Sequence, residues 1–115
     1  MKVKNVRIGI IGSENLNISV DRFIPPYASY ILTGDGEGIN KNVEKYAREH
    51  NLPVNVFKPD FQKFGQNAQI IRNKHLSVQA EMVIIIWDGK SNILRTTIEY
   101  AKNIRKQIKV FLIKN

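Results

Sequence analysis

The stretch Met82–Trp87, with the sequence MVIIIW, is the most apolar run in the chain and decides its fold class. An uncharged run of this length, rich in isoleucine, is typical of a strand buried on both faces at the centre of a parallel sheet. A second apolar run, Val6–Ile11, stops at Gly12 and indicates another buried strand followed by a turn. We therefore predict that these two strands lie side by side and run parallel.

Outside these runs, short apolar segments alternate with longer amphipathic ones. The spacing predicts further strands at Tyr30–Leu32, Val54–Phe57 and Lys109–Ile113, helices at Ile39–His50, Gly65–Gln79 and Asn92–Arg105, and one short helix around Val20–Phe23. In the second long helix, Ala68, Ile71, His75 and Val78 fall near one face, which we predict to be the buried one. Strand–helix alternation predicts an α/β fold: a single Rossmann-like three-layer domain, residues 1–115, with a mostly parallel sheet of about five strands.

The composition excludes several kinds of site. The chain has 115 residues and no cysteine, so disulfides, thiolate zinc sites and cysteine nucleophiles are absent. His50 and His75 have no partner at metal-ligand spacing, and we expect neither a metal nor a cofactor. The lack of cysteine fits a reducing compartment, and the N-terminal apolar run is too short for a signal peptide or a membrane span. We expect a cytoplasmic protein with no membrane partner.

The formal net charge of +8 bears on possible partners. A cationic surface attracts phosphate groups, although a basic surface that only maintains solubility is an equal alternative. The lysines are spread along the chain and are not interleaved with aromatic residues, so we expect at most weak, non-specific binding of nucleic acid. Self-association through helix faces suits so small a sheet, and we expect a homo-oligomer.

Ligands of parallel sheets bind beyond the carboxyl ends of the strands, which directs attention to the loops there. In the second loop, Gly34 and Gly36 would let backbone N–H groups approach a phosphate, or would only allow a tight turn. Asp35 and Glu37 in the same loop would repel a phosphate but would accept hydrogen bonds from ribose hydroxyls. Ser13, in the loop after the first strand, is a further hydroxyl able to contact phosphate.

The loop after Met82–Trp87 offers three further candidate ligand contacts. Lys90 would contact a phosphate, while Trp87 would stack on a base. Ser91 would line the phosphate site or serve only as the N-cap of the following helix, and a cap accounts for it well.

Three segments together resemble the SLOG superfamily, and more narrowly its small single-domain branch. They are Pro59–Ala68, the pair Arg72–Asn73, and Val83–Ser91, whose order and spacing match the branch over nearly the whole chain. The resemblance implies a Rossmann-like fold that binds nucleotides, nucleotide-sugar derivatives or related small molecules. Relatives include phosphoribohydrolases, a DNA-processing protein and ligand-sensing domains of bacterial defence systems.

The chain departs from the pattern of this branch in its loops. Glu14 stands where the branch has the arginine of G-S-R, and Ile93 and Leu94 stand where a Gly-Thr pair would cradle phosphate. Five further departures lie in the second loop and in the Pro59–Ala68 segment, namely Asp35, Glu37, Asn40, Phe61 and Phe64. Loss of the Gly-Thr pair argues against a competent enzyme, because a bulky side chain denies the backbone its approach to phosphate.

The resemblance and the loops together imply a sensor or sequestering module for a nucleotide-derived ligand. Arg72 would clamp a phosphate or carboxylate, so Arg72→Ala is predicted to weaken binding with the fold intact, unless Arg72 pairs structurally with Asp60 or Asp88. The predicted ligand-binding residues are Ser13, Gly34, Gly36, Asp60, Arg72, Asn73, Trp87, Asp88 and Ser91. One alternative is an N-glycosidase-type hydrolase that uses Glu37 or Asp88 beside Arg72. Another is a nucleic-acid-binding protein.

Overall fold

Five parallel strands form one sheet in the computed structural model, which describes residues 6–114. The strands are β1 (Arg7–Gly12), β2 (Tyr30–Gly34), β3 (Val54–Phe57), β4 (Met82–Trp87) and β5 (Gln107–Leu112). Their order across the sheet is β3-β2-β1-β4-β5. The two apolar runs are neighbours, with Gly9 paired to Val83 and Ile11 to Ile85. The predicted α/β class and the parallel pairing are confirmed.

Four α-helices connect the strands: α1 (Ile39–Glu49), α2 (Phe61–Phe64), α3 (Ala68–Gln79) and α4 (Asn92–Asn103). A 3₁₀ turn at Asp21–Phe23 stands where the short helix was predicted, and another at Gly65–Asn67 precedes α3. The predicted helix at Gly65–Gln79 therefore begins later, because Gly65 has a φ of 56° that breaks the helical path. Each helix found within residues 6–114 is too short or too polar to span a lipid bilayer.

The crossovers divide the core into two clusters, one on each face of the sheet. The segment with the first 3₁₀ turn packs with α1 against one face, around Ile8, Ile10 and Ile84. Side chains of α3 and α4 pack against the other, around Ile11 and Val83. After β1 the chain adds β2 and β3 on one side of that strand, and it then adds β4 and β5 on the other side. The strand order therefore reverses between β1 and β4. The carboxyl ends of these two strands thus form the topological switch point of the sheet.

The predicted buried face of α3 holds for Ala68, which is buried, and Ile71 is half-buried, but the prediction is wrong for His75 and Val78. Val78 is 55% exposed and His75 is exposed, whereas Arg72 and Leu76 are buried. Leu76 packs in the core with β1 and β4, and the polar side chains beside it are satisfied by hydrogen bonds. Apolar spacing points to the wrong face here because an arginine and an asparagine take positions that apolar residues usually hold.

Candidate functional site

A cavity of about 230 Å³ opens at the switch point between β1 and β4. Its walls come from the loop after β1, the loop after β4, the N-terminus of α4 and the first turns of α3. The loop after β1 is held against β4, because the backbone N–H of Ser13 donates a hydrogen bond to Ile86 O at 3.0 Å. The cavity lies where parallel α/β sheets usually bind ligands.

Arg72 is the buried cation of this cavity, with only 6% of its surface exposed. Its Nε donates to Asn73 Oδ1 at 2.7 Å, and its Nη1 donates to Asp35 O at 3.1 Å and to Phe57 O at 3.2 Å. These two carbonyls belong to the carboxyl ends of β2 and β3, so the guanidinium ties α3 to both strands. The predicted structural pairings with Asp60 or Asp88 are wrong: Arg72 donates to Asn73 Oδ1 and to two backbone carbonyls, and no ion pair among the described residues includes it.

A buried polar chain extends from this arginine to α4. Asn73 Nδ2 donates to Thr97 Oγ1 at 3.2 Å, and Thr97 Oγ1 donates to Ile93 O at 2.8 Å. Ser77 Oγ donates to Asn73 O at 2.8 Å. Since every buried side-chain polar atom of the described residues has a partner, this network fixes α3 against α4 without an energetic penalty for unpaired groups.

Two carboxylates, those of Glu14 and Asp35, interact electrostatically with the positive charge of Arg72. Burial lowers the pKa of the Arg72 guanidinium, and the nearby Glu14 and Asp35 carboxylates oppose that shift. Glu14 lies in the cavity wall, where its Oε1 accepts a hydrogen bond from Gln69 Nε2 at 3.2 Å. An anionic ligand at Arg72 would therefore meet a carboxylate beside the cation.

The loop after β4 is organised by Asp88. Its backbone N–H donates to Ser13 Oγ at 3.0 Å, while its Oδ1 accepts from Lys90 N at 2.9 Å and from Ser91 N at 3.3 Å. The hydrogen bond from Lys90 N is the main cause that lowers the pKa of the Asp88 carboxyl, with Ser91 N and the Ser13 hydroxyl contributing. Ser91 Oγ accepts from Leu94 N at 3.3 Å and caps α4. Asp88 and Ser91 thus shape the cavity wall.

We expect Asp88→Ala to lower the free energy of unfolding by about 1 kcal/mol at neutral pH, because two backbone N–H groups lose their acceptor. The folded-state pKa of Asp88 is lowered from 3.8, so its stabilisation is present above that value and is lost as the pH falls through the lower folded-state pKa. Urea unfolding across this range should show the wild-type and variant curves converging in acid. Glu99→Gln, an exposed change on α4, is the control, and a difference that persists at low pH would contradict the prediction.

A second hollow of about 360 Å³ adjoins the cavity across the loop after β4. It shares Asn15, Asp88 and Lys90 with the cavity and adds the apolar side chains of Leu16 and Ile113. The switch point therefore has one lobe on the α3–α4 side, which holds Arg72 and Glu14 and which we call the polar lobe, and a second lobe beside it that adds Leu16, Ile113 and Lys114.

The structure brings five of the predicted residues together in the cavity wall: Ser13, Arg72, Asn73, Asp88 and Ser91. Gly34 and Gly36 lie behind that wall. A Cβ at Gly34 would stand 2.7 Å from Arg72 Nη1, and one at Gly36 would stand 3.3 Å from Glu14 Oε1. The second-loop glycines therefore make room for the polar side chains rather than contact the cavity themselves.

Asp60 and Trp87 do not line the cavity. Asp60 Oδ1 accepts from Lys63 N at 3.1 Å and caps the short helix α2. Trp87 Nε1 donates to Ser91 O at 3.2 Å, and the Arg95 guanidinium lies 5.3 Å from its ring centroid. Both residues support loops in this fold.

Glu14, Asn40 and Gln69 line the cavity but were not predicted as site residues. For Glu14, its place at the arginine position of the G-S-R motif could have indicated that it lines the cavity. Asn40 Oδ1 accepts from Gly12 N at 3.1 Å, a contact between distant segments that no local pattern shows. Gln69 reaches the cavity only because α3 is rotated to bury Arg72, which the apolar spacing did not predict.

Within residues 6–114, no three histidine, aspartate or glutamate side chains cluster so that they could hold a metal ion. The cavity offers hydrogen bonding from amides and hydroxyls, one buried guanidinium, the carboxylates of Glu14 and Asp88, and the ammonium group of Lys90. No protein-family model matches the chain, and no curated protein or solved structure shows significant similarity to it.

Proposed function

We propose that this chain is a binding module for a nucleotide-derived small molecule, held at the switch point between β1 and β4. The observation that carries the proposal is the buried Arg72 in the cavity wall, beside the capped N-terminus of α4. Its Nη2 makes no hydrogen bond to the described residues and is left for a ligand. A guanidinium and a helix N-terminus both favour an anionic or strongly polar group. The SLOG resemblance supports the same reading.

The volumes favour a ligand of two parts. Sites for whole drug-sized ligands measure about 300–1,000 Å³, so a lobe of about 230 Å³ suits a ribose or a single phosphate. The neighbouring lobe of about 360 Å³, with Leu16 and Ile113, suits a base. Lys90 borders both lobes and would contact a phosphate between them.

Charge in the polar lobe favours a ligand of low charge. Glu14 offsets Arg72, and a carboxylate accepts hydrogen bonds from ribose hydroxyls while it repels a phosphate dianion. Nucleosides and cyclic nucleotides, with at most one negative charge, fit better than nucleoside monophosphates, and ADP-ribose-type compounds, with one charge on each of two phosphates, contain no phosphate dianion either. For the hydrolase alternative, Glu37 is outside the cavity wall and forms an ion pair with Lys41 at 3.7 Å. Asp88 does line the cavity with Arg72, but its Oδ1 accepts hydrogen bonds from Lys90 N and Ser91 N and holds the loop.

A thermal-shift screen with these three ligand classes tests the proposal. A ligand at one hundred times its Kd stabilises the folded state by about 2.7 kcal/mol, which raises Tm by several degrees. Isothermal titration with each ligand found should then give a single site. A screen in which every class leaves Tm unchanged at millimolar concentration would contradict the proposal.

We expect Glu14→Gln to raise the affinity for nucleoside monophosphates about fivefold, since removing a unit charge about 4 Å away in water is worth about 1 kcal/mol. Glu14→Arg, which restores the cation of the SLOG pattern, should raise it further. Glu37→Gln is the matched control, as it removes an acidic charge outside the cavity wall. Equal effects of Glu14→Gln and Glu37→Gln would show that only the overall charge matters.

A further inference from the structure

The two faces of the sheet are covered unequally. Helices α3 and α4 cover one face, whereas on the other face α1 packs on β1, β2 and β3. In the described part of the chain, the β4–β5 end of that second face is covered by the Val20–Ala28 segment and by no α-helix. A shallow hollow of about 260 Å³ lies there, between this segment and β5.

Aromatic rings and cations meet in this hollow. Phe23 and Phe111 pack with ring centroids 4.8 Å apart, with the Arg22 guanidinium 4.6 Å from the Phe23 centroid and Lys109 Nζ 5.5 Å from that of Phe111. Tyr27 is 59% exposed at the rim, and its hydroxyl donates to Met82 Sδ at 3.7 Å. Among the described residues, no carboxylate lines the hollow. We name these five residues, Arg22, Phe23, Tyr27, Lys109 and Phe111, the aromatic–basic patch.

The C-terminal part of the chain, which contributes Lys109 and Phe111 to this patch, carries most of the net positive charge. Residues 90–114 contain seven lysines and arginines but one glutamate, a net charge of +6 out of +8 for the whole chain. This part of the chain comprises α4 and the edge strand β5, which contributes Lys109 and Phe111. On α1, by contrast, Lys41, Lys45 and Arg48 each pair with a glutamate. Helix α4 lies on the opposite face of the sheet, so Arg22 and Lys109 are the cations of the hollow itself, and neither forms an ion pair among the described residues.

We propose that the aromatic–basic patch binds single-stranded nucleic acid, with a base stacked on Tyr27 and backbone phosphates against Arg22 and Lys109. Single-strand sites combine exposed aromatic rings with a cationic track, because every base has a π-face and every linkage has a charge. A duplex hides its base faces and offers Tyr27 nothing to stack on. An acidic peptide would satisfy the charges but would leave the exposed ring without a planar partner. This site is separate from the switch-point cavity and does not depend on the function proposed for it.

The test is fluorescence anisotropy with labelled oligothymidylate and oligouridylate of about 12 nucleotides, within the span one small domain covers. Tyr27→Ala should weaken binding about tenfold, and Tyr27→Leu similarly, whereas Tyr27→Phe should retain the affinity because it keeps the ring. Phe61→Ala is the matched control, since Phe61 is 56% exposed and lies outside the patch. It should leave the affinity unchanged.

The charges are tested in the same assay. Lys109→Ala and Arg22→Ala should each weaken binding and reduce the slope of log K against log salt by about one. Lys63→Ala is the control, because its Nζ lies 5.2 Å from the Phe64 centroid in a similar cation–ring contact elsewhere. The proposal is overturned if Tyr27→Ala and Phe61→Ala have equal effects, if a duplex of the same length binds as tightly, or if polyglutamate displaces the oligonucleotide at equal charge. Absence of binding at low salt also overturns the proposal. If both oligonucleotides bind, the one with the higher affinity shows whether the patch prefers DNA or RNA.

Discussion

Replacing Arg72 with alanine will lower the stability of the protein and, on the function proposed above, abolish ligand binding at the switch point. Arg72 is 6% exposed, and its loss leaves Asp35 O and Asn73 Oδ1 without the donors they have here, whereas Phe57 O keeps the hydrogen bond from Asp35 N. Buried acceptors left unpaired cost about 1–3 kcal/mol, so we expect a total loss of about 3 kcal/mol. The structure thus replaces the expectation of an intact fold with one in which both properties fall.

The loss of stability and the loss of ligand affinity are distinguished by two separate measurements. Urea unfolding gives the free energy, and titration well below Tm, where circular dichroism shows a folded chain, gives the affinity. Arg72→Lys keeps the charge, but a single ammonium cannot reproduce the planar fork that reaches several acceptors, so we expect intermediate stability. Wild-type affinity in folded Arg72→Ala would remove Arg72 from the ligand site.

A double-mutant cycle with Gly34 checks the position of the guanidinium. A Cβ at Gly34 would stand 2.7 Å from Arg72 Nη1 and 2.8 Å from Arg72 Cζ. Gly34→Ala should therefore destabilise the wild type by displacing Arg72, but should cost much less in the Arg72→Ala background. We expect a coupling of roughly 1–2 kcal/mol, and additive effects would contradict the geometry.

Replacing Gly38 with alanine will have the other large effect, a loss of roughly 4 kcal/mol or failure to fold. Gly38 precedes α1 with φ 62° and ψ −127°, a backbone conformation that side chains rarely adopt. A Cβ there would also stand 2.4 Å from Glu14 O and 2.6 Å from Ser13 O. Because these carbonyls belong to the loop after β1, any shift that relieves the clash also moves the cavity wall.

Gly65 provides a matched control for this change. Its φ of 56° and ψ of −132° nearly repeat those of Gly38, yet a Cβ there would meet no described atom within 4 Å. Gly65→Ala should cost only the conformational strain, about 1–3 kcal/mol. Chemical denaturation gives the loss of unfolding free energy for each variant. The additional loss for Gly38→Ala over Gly65→Ala measures the cost of the clash with the loop after β1. Equal losses would show that the backbone conformation alone demands glycine.

The architecture was predictable because its causes are local. Uninterrupted apolar runs specify β1 and β4, and Gly12 and Pro53 mark where elements stop. Some predicted helix ends differ from the observed ones by a few residues, because the backbone angle of a single residue decides where the helix stops. Helix α4, for example, ends at Asn103, and Arg105 has a φ of 58° just beyond it. Loops at the carboxyl ends of β1 and β4 followed from the parallel sheet itself, so Ser13, Asp88 and Ser91 could be placed near each other.

The site depends on contacts that no short segment contains. The rotation of α3 was decided by hydrogen bonds from Arg72 to the ends of β2 and β3, which are 37 and 15 residues away. Since those bonds satisfy a buried cation, they outweigh the apolar spacing that would have turned Val78 inward. Glu14 beside Arg72, and Arg22 and Tyr27 beside Lys109, likewise meet only after the sheet has formed. The sequence by itself determined the α/β class and the edge where a ligand would bind. Only the tertiary structure decided which polar side chains face that edge, because long-range hydrogen bonds and charges orient them.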